Sequence, residues 1–180
     1  MTTVAPVRWN RFAQLLHWLI ALLIVGHGIV GLWMTSMQPS PDKIKIYLLH
    51  KSFGITLLML IVVRLIWRMT HRVAPESSLP LWQRVSSESV HWLLYASVLA
   101  ATFTGWLFAS FRGWSVSYFY LVPVPMLATK NATAIKQIDG WHQIAEWALL
   151  VLIGIHVAAA VVHIFVYRDR IMQRMLPSCR

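Results

Sequence analysis

Four runs of about 20 apolar residues, each long enough to cross a hydrocarbon core of roughly 30 Å, occupy positions 15–34, 46–67, 90–111 and 142–166 of this chain. Lipid offers no water to satisfy a backbone N–H or C=O, so a run of this length must bond to itself as a helix. The runs therefore predict an all-α integral membrane protein, a four-helix transmembrane bundle. Its helices are expected over about 12–34, 46–68, 90–111 and 141–167, in a single domain covering 1–180. A composition of 58% hydrophobic and 12% charged residues agrees, lying well outside the average for soluble domains.

The formal charge of +10 does not point to nucleic acid, because the basic residues flank the apolar spans instead of forming a compact basic domain. Four spans place both termini on one side of the membrane. That side carries Arg8, Arg11, Arg64, Arg68, Arg72, Arg84, Arg168, Arg170, Arg174 and Arg180, against Lys43, Lys45, Lys51, Arg112, Lys130 and Lys136 on the other. The positive-inside rule then assigns both termini to the cytoplasm. The first run is too long for the apolar part of a signal peptide and reads as a retained helix.

The single cysteine, Cys179, excludes an intramolecular disulfide, a thiolate iron–sulfur cluster and a covalent C-x-x-C-H haem attachment. A redox centre in this chain has to be held by other ligands.

Histidine is the residue type that stands out. Seven of the eight histidines, His17, His27, His50, His91, His142, His156 and His163, fall within or at the ends of the spans, and only His71 lies in a loop. Ionisable groups in spans are costly to place and are functional candidates by default. A neutral imidazole bonded to a neighbouring helix accounts for any one of them. Seven in four helices exceed that account.

Helical geometry separates them. From His142 to His156 the rotation falls about 40° short of four turns, so both leave one face, roughly 21 Å apart along the axis. That spacing describes two sites stacked through the membrane, since one zinc or copper ion would draw its ligands to a single point. Depth matches His50 to His142 near the outer surface, and His17 to His156 toward the inner side. Two cross-helix pairs, one per leaflet, are what two bis-histidine haems require. At the inner site His163, about 20° from the same face, competes with His156, and His91 competes with His17, its "SVHWLL" echoing "LLHWLI". His27, about 80° away from His17, points elsewhere. Arg64 and Arg68 share a face at i and i+4 and suit anionic haem propionates, and Lys51 beside His50 suits an outer one. Gly54, Gly105 and Gly154 offer room for a flat macrocycle, though small residues also simply pack transmembrane helices.

The ordered set "LLHWLI", "LLHKSFGI", "VVRLIWR", "GWHQ…GIHVAAAVVH" and "YRDRIMQRMLP" resembles the bacterial cytochrome b561 proteins, which share a domain with the cytochrome b subunits of nickel–iron hydrogenases. The resemblance covers nearly the whole chain. It implies two non-covalent b-type haems with His17, His50, His142 and His156 as the axial ligands, in place of His163 and His91, and a multi-pass protein of the bacterial inner membrane. It also implies electron transfer linked to ubiquinone or another quinone, with superoxide or a protein as electron donor. A membrane anchor and electron conduit for a larger redox complex is the alternative role. Asp139 and Trp141, or the inner arginines, are the candidate borders of a quinone pocket.

Overall fold

The computed structural model describes residues 8–74 and 79–176; Pro177, Cys179 and Arg180 lie outside the described residues. Its elements in chain order are α1 (Arg11–Ser36), α2 (Pro41–Thr70), α3 (Leu81–Arg112), the strands β1 (Val116–Tyr118) and β2 (Val122–Val124), and α4 (Ile135–Val162). All four helices are long and apolar enough to cross a membrane.

Each helix runs past its apolar stretch for a local reason. Helix α1 starts at Asn10, whose side chain accepts the Ala13 N–H at 2.9 Å. Helix α2 begins five residues before its apolar run, because Ser40 accepts the Lys43 N–H, Pro41 occupies the first turn and Asp42 faces the positive end of the helix dipole. Helix α3 begins at Leu81, straight after Pro80, and carries the stretch 83–89, polar apart from Val85, into its first turns. It stops at Gly113, which takes φ +70° and returns its N–H to the last turn. Helix α4 continues as a π-helical turn over His163–Tyr167 and ends at Arg168 in the left-handed region.

The extended contacts run α1 to α2, α2 to α3 and α3 to α4. At mid-height Ile20, Leu57, Ile61, Tyr95 and Val98 form the buried core, with Leu149 of α4 packed against it. Elsewhere large apolar side chains such as Leu15, Leu22 and Val151 face outward, as expected where lipid is the solvent. Lipid tails are as apolar as leucine, so burial alone drives helix association weakly and polar contacts between elements count for more.

Two sets of such contacts close the ends. At one end the antiparallel hairpin β1–β2 folds onto the bundle. The Ser52 hydroxyl accepts the Phe119 N–H at 3.0 Å, Lys51 donates to the Ser115 carbonyl at 2.9 Å, and Ser110 accepts the Leu127 N–H at 3.1 Å. At the other end the segment after α4 returns beneath α1. There Trp9 donates its N–H to the Arg174 carbonyl, and the Trp18 indole donates to the Met175 carbonyl at 2.9 Å.

Candidate functional site

The mid-height core divides the histidines into two groups. The group at the hairpin end draws on all four helices. His27 of α1 stacks on His50 of α2, ring centres 3.8 Å apart and planes within 14°. His142 of α4 turns its Nε2 to Glu146 Oε1 at 3.1 Å and its Nδ1 to the Thr104 hydroxyl of α3, also at 3.1 Å. One ligand atom from each of His50, His142 and Glu146 lies within 4.8 Å of the other two.

The second group lies at the opposite end, which we call the terminal end, where Trp9 meets the Arg174 segment. His17 of α1 and His156 of α4 approach to 6.2 Å between ring centres, and His91 of α3 stands 5.3 Å from His156. Arg64 of α2 reaches into the same place, donating to the Ala13 carbonyl at 2.8 Å and lying 3.4 Å from Nδ1 of His17. Its aliphatic stem comes off the helix one turn beyond Ile61 of the core.

Other sequence-predicted residues have different surroundings. Arg68 holds both oxygens of Glu88 at 2.9 Å and lies over the rings of Trp92 and Tyr95. Lys51 is directed to the hairpin carbonyl of Ser115 and to Trp114. His163 bonds through Nδ1 to Asp169 Oδ2 at 2.5 Å and lies beside Tyr167, where it closes the π-helical turn. Among the glycines, a Cβ on Gly105 would stand 2.8 Å from Cε1 of His142, whereas one on Gly154 would meet nothing within 4 Å. The room at Gly105 thus seats an imidazole. His71 is exposed and stacks on Trp67 at 3.8 Å.

Three features are compatible with haem as the resemblance implies it. Two nitrogens that share one metal at about 2 Å each stand about 4 Å apart, and the His50 and His142 nitrogens fall within 4.8 Å. Nδ1 of His50 is buried and has no hydrogen-bond partner among the described residues, a state costing about 1–3 kcal/mol unless something else satisfies it. Arg64 makes no ion pair among the described residues, so a half-buried guanidinium in a spanning helix is left with charge for an anion such as a propionate.

Glu146 was not anticipated from the sequence. Its signal is a carboxylate within an apolar run, one turn beyond His142. His27 was placed away from His17 by rotation, and its axial offset of roughly 15 Å from His17 is what carries it to His50. Trp141 lines two surface hollows, one with Lys136, Gln137 and Ile144, the other an apolar groove of about 310 Å³ between α3 and α4 reaching Thr104.

A family model described as prokaryotic cytochrome b561 matches residues 8–178. "Cytochrome b561 homolog 2" of Escherichia coli (strain K12) is 29% identical over 97% of this chain and 94% of that protein. "Cytochrome b561 homolog 1" of the same organism is 29% identical over 93% of this chain and 98% of its own. "Probable superoxide oxidase CybB" of Yersinia pestis is 25% identical over 92% and 93%.

Proposed function

This chain belongs to the prokaryotic cytochrome b561 family, and from that premise we propose that it is a di-haem b-type cytochrome passing electrons across the bacterial inner membrane to the quinone pool. Family membership and four apolar helices make it a bacterial membrane cytochrome of electron transport. The observation that carries the finer reading is the division of the histidines into two groups on either side of an apolar core.

In this reading His50 and His142 hold one haem at the hairpin end, and His17 and His156 hold the other at the terminal end. Haem, when bound, supplies a reversible one-electron iron centre, and two histidine ligands leave that iron no open position for substrate. The chain's own residues do the rest. Arg64 offers a positive charge to the terminal-end propionates. The core of Ile20, Leu57, Ile61, Tyr95 and Val98 keeps water out of the space between the sites. Both termini lie in the cytoplasm, as the arginine-rich flanks favour.

The name of the Yersinia pestis relative makes superoxide the first electron donor to try. Lys51, Arg112 and Lys130 at the hairpin end would attract such an anion.

Haem quantified per purified chain, with a visible spectrum of both redox states, tests the proposal. Two low-spin haems are expected, and one haem with His142→Ala. A chain with fewer than two, or with a high-spin spectrum, would overturn it.

A further inference from the structure

Thr104 has only one hydroxyl hydrogen, and its own helix takes it. The hydroxyl lies 2.6 Å from the Ala100 carbonyl, with the Ala101 carbonyl at 3.2 Å. Toward Nδ1 of His142, at 3.1 Å, the oxygen is therefore left as an acceptor. The hydrogen of that contact belongs to the imidazole, and a neutral ring with hydrogen on Nδ1 carries its free lone pair on Nε2. The next residue, Gly105, supplies the space: with any side chain there, Cε1 of His142 would be met at 2.8 Å. Two consecutive residues of α3 thus seat the ring and set its rotation.

We propose that Thr104 is a positioning residue for the hairpin-end haem, accepting the Nδ1–H of His142 so that Nε2 is the ligating atom and the ligand is more electron-donating. This rests on the reading of His142 as an axial ligand. Partners beyond the ligands commonly fix the tautomer and raise the basicity of metal-bound histidines. In the structure Nε2 faces the half-exposed Glu146 carboxylate at 3.1 Å, a contact that puts a hydrogen on Nε2 as well. Ligation therefore requires that this proton leave and that Glu146 turn away, while Nδ1 keeps its hydrogen toward Thr104.

The test compares Thr104→Val, Thr104→Ala and Thr104→Ser in the purified haem-loaded protein. Redox titration and low-temperature electron paramagnetic resonance are the readouts. Valine and alanine remove the acceptor. They are expected to raise the midpoint potential of one haem and move its resonance while leaving the other unchanged, or to lose that one haem. Serine, which keeps the hydroxyl, is expected to restore the parent values. Three variants that match the parent protein, or three that are equally impaired, would overturn the role of Thr104. A His142→Ala protein that retains both haems would instead sink the ligand reading beneath it, so the two failures are distinguishable.

Discussion

The imidazoles of His17 and His156 lie 6.2 Å apart, edge toward face, although one belongs to α1 and the other to α4. These helices have no extended backbone contact of their own, so what holds the two rings near each other is the packing of each helix on its neighbour. A pair kept at that distance by scaffold, with no bond between the rings, is suited to clasp something placed between them.

His91 is even nearer to His156, at 5.3 Å, which sets up the first prediction. His17→Ala and His156→Ala are each expected to halve the haem content. His91→Ala is expected to keep both haems and shift the spectrum of one. His163→Ala is expected to keep both, because its partner is Asp169. Haem assay on the four purified variants decides between them, and loss of a haem with His91→Ala but not His17→Ala would reassign the ligand.

The spans were readable from length alone, because lipid leaves a 20-residue apolar run only one conformation. Their ends were not. The stretch 83–89, polar apart from Val85, belongs to α3 because the helix starts straight after Pro80, and hydropathy does not register such a start. The hairpin at 116–124 was also hidden: its residues Tyr118 to Leu121 are apolar or aromatic, without the Asn-Gly type of turn that announces a two-residue hairpin, and its turn instead places Phe119 and Tyr120 at positive φ. The depth pairing of His50 with His142 and of His17 with His156 was read from topology, that is, from the side at which each helix enters the membrane. Rise per residue only set His142 and His156 apart on one helix. Glu146, Thr104 and the stacking of His27 on His50 depend on side-chain directions that rise and rotation do not supply.

The glycines separate by what they face. Gly105→Ala is expected to push the His142 ring off its seat, at a cost of about 1–3 kcal/mol as for other overpacked sites, with one haem bound more weakly. Gly154→Ala faces open space and is expected to be neutral or stabilising by about 0.5–1 kcal/mol, since alanine is the better helix former. Thermal unfolding in detergent with haem absorbance as the probe checks both. Equal effects at the two positions would mean that Gly105 has no special place.

Arg64 and Arg68 share a helical face but not an environment. Arg68 is tied to Glu88, whose side chain is largely exposed. Arg68→Gln is accordingly expected to cost no more than about 1 kcal/mol and to leave both haem potentials where they were. Arg64→Gln removes a charge, beside His17, that no carboxylate balances among the described residues. It is expected to lower the potential of one haem, because positive charge nearby favours the reduced state, and to weaken its retention. A potentiometric titration of each variant reads this directly, and a larger shift from Arg68→Gln would transfer the role to that residue.

Ser52 is the pin of the hairpin. It is almost fully buried; its hydroxyl lies 2.9 Å from the Leu48 carbonyl and 3.1 Å from that of Ser117, and it accepts the Phe119 N–H. Ser52→Ala leaves that N–H without its partner at a cost of about 1–3 kcal/mol. The segment it releases already carries Phe119 and Tyr120 at φ +47° and +63°, a conformation that side chains other than glycine adopt reluctantly. The expected result is a hairpin that opens more often, seen as faster cleavage near Tyr120 by added chymotrypsin, with the helices intact by circular dichroism. Tyr118→Phe, which removes only the contact to Thr56 at 3.2 Å, is expected to have a smaller effect in the same direction. If both variants resist protease as well as the parent chain, the hairpin is held by its apolar contacts, such as Phe53 with Phe119 at 5.1 Å, and the serine is incidental.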